Sequence, residues 1–175
     1  MRDSVNEAGD RASRLREIAG VVVGMTVQSI RVHSSGGPYP VGVPDLLLSR
    51  PPEASSFRGV GFGDVRLLVI THGWRLESRE RVVAAPKDPL AGLGDAMGIL
   101  AGRPVAGLEV EAPGPDTTIW FGDLRLRLFP VSCLPAPDGV PAWLLRTAPD
   151  FLVVVGPGGD WGISRRGRQA REART

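Results

Sequence analysis

The sequence predicts an α+β protein built by tandem duplication, in which each copy is a helix followed by a four- to five-stranded antiparallel sheet. The two copies are expected to form two similar lobes. Three observations lead there. The run FGDVRLLV at 62–69 returns as FGDLRLRL at 121–128. Apolar and polar residues alternate with the period of two typical of half-exposed strands. Glycine (23 residues) and proline (16) are frequent, as in short strands joined by tight turns.

Four blocks recur in the same order, which chance produces far less readily than one shared octapeptide. Beside the FGD runs, VVVGMTVQSIRV (21–32) aligns with ILAGRPVAGLEV (99–110), WRLES (74–78) with WLLRT (143–147), and RVVAAP (81–86) with LVVVGP (152–157). The first copy is therefore predicted to span 1–88, with an insertion at 33–59, and the second 89–163. Residues 164–175 lack apolar periodicity and are predicted to be a disordered basic tail.

Helices are predicted ahead of the first strand of each copy. Apolar residues share one helical face in each stretch: Leu15, Ile18 and Ala19 in the first, and Leu90, Leu93, Met97 and Leu100 in the second. Gly24 and Gly102 are expected to end these helical regions, because glycine accepts the left-handed backbone that follows a helix. Trp74 and Trp143 share a face with a leucine in each copy and are predicted to lie in the core.

The two FGD runs place Gly and Asp between strand-forming residues. Glycine at the first of two central positions is typical of a type II′ hairpin. Asp64 and Asp123 are therefore predicted at hairpin tips, in preference to a ligand-binding role. The closing strands RVVAA and FLVVVG are almost wholly apolar and are expected to be central in their sheets. Within the insertion, PDLLLSR is expected to form an edge strand.

The runs FGDLRLRLFP, W-x-L-x-T and FLVVVGPGGDW make this chain resemble small, uncharacterised, β-rich actinobacterial proteins, some of which are similar to immunity proteins of bacterial toxin systems. The likeness covers 96–163 well and 18–88 more loosely. The first copy reads APKDPL where the second reads GPGGDW. The resemblance implies a fold family and a role in neutralising a partner protein, and it carries no catalytic residue.

No constellation of residues predicts catalysis or a resident metal. The two histidines, His33 and His72, have no partner at metal-ligand spacing, and a single cysteine provides no zinc quartet. A Cys133–His72 dyad is conceivable, but Cys133 has no neighbouring cation to activate its thiol. GPGGDW lacks the Lys-Ser/Thr of a phosphate-binding loop. No enzyme activity and no cofactor are therefore predicted.

Charge and cysteine usage restrict the class of partner. The segment 162–175 holds five arginines and one glutamate, so the rest of the chain has 16 basic and 18 acidic residues. A slightly acidic body disfavours a nucleic-acid partner. One cysteine excludes an internal disulfide and fits a reducing compartment, so a cytoplasmic protein is predicted. No run approaches 18 apolar residues, so no membrane partner is predicted.

The sequence therefore predicts a non-enzymatic protein-interaction module, of which an immunity-type protein is the sharpest form; self-association stays open. The alternative is a small-ligand binding module that uses a cleft between the two lobes, with Trp74 and Trp143 as walls. The candidate binding residues are of three kinds: the only tyrosine, which lies in the insertion; a loop histidine with the tryptophan near it; and two carboxylates on one strand face with a third that follows. They are Tyr39, His72, Trp74, Glu109, Glu111 and Asp116.

Overall fold

The computed structural model describes residues 13–17, 19–34, 41–50, 64–70, 73–111, 116–129, 142–147, 151–156 and 161–165. Helix α1 covers 13–17, a 3₁₀ turn covers Gly20–Val22, and helix α2 covers Leu90–Gly98. The strands are β1 (Thr26–Ser34), β2 (Gly42–Ser49), β3 (Val65–Val69), β4 (Trp74–Glu77), β5 (Val82–Ala84), β6 (Gly107–Glu111), β7 (Asp116–Phe121), β8 (Leu124–Leu128), β9 (Trp143–Thr147), β10 (Phe151–Val155) and β11 (Trp161–Arg165).

These strands form two antiparallel sheets, and both halves of the chain contribute to each. The six-stranded sheet has the order β1-β2-β3-β9-β10-β11, and the five-stranded sheet has the order β5-β4-β8-β7-β6. β3 pairs with β9, with Val69 opposite Trp143. β4 pairs with β8, with Trp74 opposite Leu128. In each sheet, therefore, one pair of neighbouring strands joins the two halves of the chain: β3 with β9, and β4 with β8.

The predicted fold class, a tandem duplication of two helix-then-sheet lobes, is wrong. The described chain is mostly strand with two short helices, and no lobe is made by one half alone. The error has a physical origin. A period of two shows which face of a strand is buried, but it does not specify the neighbouring strand. β3 and β4 are close in sequence, yet they join different sheets.

One hydrophobic core lies between the sheets and is completed by the helices. It includes Leu15 of α1 and Met97 of α2 together with inward residues of both sheets. Trp74 and Trp143 are 1% and 2% exposed, which confirms the prediction that both are core residues. Neither indole can form the wall of an open cleft, so the structure gives no support to that part of the small-ligand alternative.

Gly24 and Gly102 have φ values of +82° and +75°, the left-handed backbone predicted for them. Each amide is bonded to the other half of the chain: Gly24 N donates to Val105 O (2.9 Å), and Gly102 N donates to Val27 O (2.8 Å). Between them Thr26 pairs with Pro104 as an isolated antiparallel bridge. The two turns therefore fasten the beginnings of the halves to each other.

The second FGD run forms the predicted two-residue hairpin. Phe121 pairs with Leu124, Gly122 has a φ of +72°, and Asp123 is exposed at the tip. In the first run Asp64 is exposed immediately before β3, while Phe62 and Gly63 lie outside the described residues.

The predicted positions of three strands can be compared with the sheet orders. Residues 44–49 of PDLLLSR lie in β2, which is second from the edge, so the prediction of an edge strand was wrong. β5 is an edge strand, so the prediction that it is central was wrong, whereas β10 does lie inside its sheet. Among the described strands, β5 pairs with β4 alone, and its other side has no neighbouring strand.

Candidate functional site

The predicted binding residues separate into three groups. Tyr39 and His72 lie outside the described residues. Trp74 is buried, and its Nε1 donates to Gly42 O over 2.9 Å, so it has a structural role. Glu109, Glu111 and Asp116 share the outer face of the five-stranded sheet, the side turned away from the core, because the strand neighbours Val110 and Thr117 are buried.

The outer face of the five-stranded sheet is a grid of side chains set by the strand register. Thr118 pairs with Glu109 on one side and with Arg127 on the other, and Arg127 pairs with Arg75. The next row along the strands joins Glu77, Arg125, Trp120 and Gly107. On the far side of Thr118, Asp116 pairs with Glu111. Alternation places all of these side chains on the same face.

This face is divided by charge. We call Arg75, Arg125 and Arg127 on β4 and β8 the arginine half. We call Glu109, Glu111 and Asp116 on β6 and β7 the acidic half. Because neighbouring strands are about 4.8 Å apart, Arg127 and Glu109, two strands apart in one row, have backbones separated by about 10 Å. Opposite charges therefore face outward within one side chain's reach of each other.

The carboxylate of Glu77 forms ion pairs with two residues of the arginine half, Arg75 and Arg125. Its residue is only 5% exposed although it lies on the outer face. Arg125 Nε donates to Glu77 Oε2 over 2.5 Å, and Arg75 Nε forms an ion pair with Oε1 that lacks hydrogen-bond geometry. A buried carboxylate needs such partners, because desolvation of an unpaired charge is costly. One glutamate thus positions two guanidinium groups.

Aromatic rings flank the same arginines. The Arg125 Cζ lies 5.7 Å from the centre of the Trp120 ring, and the Arg75 Cζ lies 5.6 Å from the centre of the Phe129 ring. Trp120 and Phe129 are both half-buried, so part of each ring faces solvent. Contact with a ring stabilises a guanidinium and restricts its motion. The arginine half therefore combines fixed cations with accessible aromatic surface.

Arg127 stands at the centre of the grid and differs from its neighbours. Within the described parts of the chain it forms no hydrogen bond or ion pair, whereas Arg75 and Arg125 are both held by Glu77. It lies directly opposite Arg75. Like charges that face each other across an antiparallel pair destabilise the sheet. This arrangement would be relieved by an anion bound between them.

Sequence reasoning found the acidic half but missed the arginine half. The signal was present in LRLRL, whose alternation predicts that Arg125 and Arg127 share a solvent face. Arg75 could not be added to them from the sequence. It comes from the other half of the chain, and its proximity depends on the pairing of β4 with β8.

A separate ion pair fixes the hairpin tip at Asp123. Arg103 Nη1 donates to Asp123 Oδ1 over 2.5 Å and to Phe121 O over 3.2 Å, while its Nε donates to Ile99 O over 3.0 Å. The hydrogen bond from Arg103 is the main reason why the pKa of Asp123 lies below its ordinary value, followed by a backbone hydrogen bond and the positive charge of Arg103. Asp123 therefore ties the hairpin to the end of α2.

The outer face of the six-stranded sheet also has a buried carboxylate, Asp45, which is 6% exposed. Arg66 binds it through two nitrogens, with Nε 3.0 Å from Oδ1 and Nη2 2.8 Å from Oδ2, and His33 Nε2 lies 3.4 Å from Oδ2. Both carboxylate oxygens are thus occupied from within the protein, and Asp45 serves to hold β1, β2 and β3 together.

Among the described residues, no group of three or more His, Cys, Asp or Glu side chains is placed to hold a metal ion. Within the same residues, no helix is both long and apolar enough to cross a membrane. Comparison with family models, with curated proteins and with solved structures found no match to this chain.

Proposed function

We propose that this protein is a protein-binding module whose binding surface is the outer face of the five-stranded sheet. The observation that supports it most strongly is the arginine half, where Glu77 fixes two arginines beside a third without a described partner. Tryptophan and arginine are the residues most enriched where protein interfaces concentrate their binding energy. Neutralisation of the bound protein is the form of this function that the immunity-like resemblance implies, and the single cysteine favours a cytoplasmic location for it.

The charge pattern favours a protein over a nucleic acid. A nucleic acid presents one sign of charge along its whole backbone, and binding requires a continuous basic surface. Here Glu109, Glu111 and Asp116 occupy the same face as the arginines, about two strands away. A phosphate backbone that bound along the arginine half would be repelled where it continued over the acidic half. A folded protein can present both signs of charge at this spacing.

The proposal is tested by comparing what different baits retain from an extract of the organism that encodes the chain. The full chain, the variant Arg127→Glu and the variant Arg50→Glu are immobilised, and bound proteins are quantified by mass spectrometry. Arg50 is exposed at the end of β2 in the other sheet, so its substitution makes the same charge change elsewhere. The expected result is a protein retained by the wild type and Arg50→Glu and lost from Arg127→Glu.

Two outcomes would contradict the proposal. In one, the three baits retain the same proteins in equal amounts. In the other, nuclease treatment of the extract removes everything that distinguishes the wild type from Arg127→Glu. Circular dichroism of each bait checks that it is folded, and Arg127→Gln replaces Arg127→Glu if the charge reversal prevents folding.

A further inference from the structure

We infer that the outer face of the five-stranded sheet recognises a dipolar segment of its partner. Acidic side chains of the segment bind at Arg75, Arg125 and Arg127, and basic side chains bind over the acidic half. This inference rests on the proposed function and specifies the chemistry of the partner.

The arginine half is built to receive carboxylates. Arg75 and Arg125 contact Glu77 through Nε, and a guanidinium has further N–H donors that can bind a second acceptor. Each of these side chains is 40% exposed. A guanidinium binds a carboxylate through parallel N–H donors, and this is strongest when its orientation is already fixed. Glu77 and the two aromatic rings provide that fixation.

Arg127 is the anchor of this half. The charges of Arg75 and Arg125 are partly balanced by the shared Glu77, whereas Arg127 has no described counterion. A carboxylate placed between Arg75 and Arg127, which are directly opposite each other, would contact both. It would replace the repulsion across that pair by two charge-assisted hydrogen bonds. The loss of Arg127 should therefore weaken binding more than the loss of any exposed arginine elsewhere.

The acidic half sets the polarity of the segment. Glu111 and Asp116 are directly opposite each other. Glu109 lies in the next row, which is also the row of Arg127. Three carboxylates without a described cation partner repel one another and any acidic ligand. A lysine or arginine of the partner, about 10 Å from its acidic anchor, would satisfy them. A segment that is acidic throughout would match only half of the surface.

The inference is tested with synthetic peptides and the full-length protein, so it does not depend on finding the natural partner. A peptide with a Glu-rich half and a Lys-rich half is compared with an all-Glu peptide and with single-stranded oligonucleotide of similar length. Binding is followed by NMR of the arginine Nε–Hε groups, with side chains assigned by substitution. The dipolar peptide is expected to bind at least fivefold more tightly than the all-Glu peptide and to shift the Arg127 signal.

Matched variants locate the two ends of the peptide. Arg127→Glu should weaken the dipolar peptide at least tenfold, while Arg50→Glu should change its affinity less than twofold. Glu109→Lys should weaken the dipolar peptide and strengthen the all-Glu peptide, because it converts part of the acidic half to a basic surface.

The inference is overturned if the all-Glu peptide or the oligonucleotide binds as tightly as the dipolar peptide, or if Arg127→Glu has no effect on peptide binding. Those results leave the proposed function standing when the extract experiment has identified a protein that depends on Arg127. Conversely, dipolar binding at Arg127 with no such protein in the extract contradicts the proposed function alone.

Discussion

Single residues decide how charge and polarity are accommodated at the surface and in the core of this protein. Glu77 and Asp45 lie on the outer faces of different sheets, and each is more than nine-tenths buried beneath arginines. Asp45 binds Arg66 and His33, whereas Glu77 binds two arginines, Arg75 and Arg125, whose side chains are each 40% exposed. That difference places the candidate binding site on the five-stranded sheet.

Substitution of phenylalanine for Trp74 and for Trp143 should change the free energy of unfolding by different amounts. Trp74 Nε1 donates to Gly42 O, whereas Trp143 Nε1 is buried without a hydrogen-bond partner in the described structure. Trp74→Phe removes a buried hydrogen bond, while Trp143→Phe removes an unsatisfied donor. We expect Trp74→Phe to lower the free energy of unfolding by about 1–2 kcal/mol more than Trp143→Phe. Urea denaturation of both variants measures this, and equal losses would contradict the assignment of the two indoles.

The contribution of Asp123 to the stability of the folded protein should depend on pH in a definite direction. Its pKa is lowered in the folded state, chiefly by the hydrogen bond from Arg103. The stabilising effect is therefore fully present above the ordinary aspartate pKa and is lost as the pH falls through the lower, folded-state value. NMR titration of the carboxyl carbon should give Asp123 a pKa below that of an exposed aspartate, and Arg103→Gln should raise it. An Asp123 pKa that does not respond to Arg103→Gln would exclude this cause.

At the scale of elements, helix α2 packs closely against strand β2 at Gly42. Gly42 begins β2, donates its N–H to Pro86 O and accepts from Trp74, and α2 packs directly on it. A Cβ on Gly42 would lie 2.0 Å from Leu93 Cδ2 and 3.2 Å from Val32 Cγ1. The Cδ2 atom is the end of the Leu93 side chain, which is buried in the core and would have to shift within it. The absence of a side chain at Gly42 therefore sets how closely α2 approaches the six-stranded sheet.

Gly42→Ala and Gly94→Ala form a matched pair that tests this packing. Gly42→Ala should lower the free energy of unfolding by about 1–3 kcal/mol, as overpacking in a core does. In the middle of α2, a Cβ on Gly94 would meet no atom within 4 Å, and the residue is exposed. Gly94→Ala should raise the free energy of unfolding by about 0.5–1 kcal/mol, since alanine favours the helix. Thermal melts of both variants measure these changes in stability. Stabilisation by Gly42→Ala would contradict the described contact of α2 with β2.

The sequence predicted local features of the elements better than their partners. The left-handed glycines 24 and 102, the hairpin at 121–124 and the burial of both tryptophans follow from backbone and side-chain preferences of a few neighbouring residues. The pairing of β4 with β8 depends on residues about 50 positions apart, whose alternation fits many neighbours equally well. For the same reason Glu109 and Glu111 were recognised as sharing a face, while Arg75 was not placed beside Arg127.

At the scale of the whole molecule, the halves complete each other's sheets around one core. β3 reaches β9, β4 reaches β8, and the bridge between Thr26 and Pro104 joins the beginnings of the halves. The candidate site depends on this exchange, because Arg75 and Glu77 belong to one half and Arg125 and Arg127 to the other. A chain cut between β5 and α2 would divide the core as well as the arginine half.

The most direct test of this account is the detection of cross-strand contacts by NMR in the isotopically labelled full-length protein. The interleaved fold predicts backbone proton contacts between β4 and β8 in the register that sets Arg75 opposite Arg127. It also predicts contacts between β3 and β9 in the register that sets Leu67 opposite Leu145. Contacts that instead pair β3 with β4, and β8 with β9, would show that each half forms its own sheet. That result would contradict the interleaved fold and remove the arginine half as a single site.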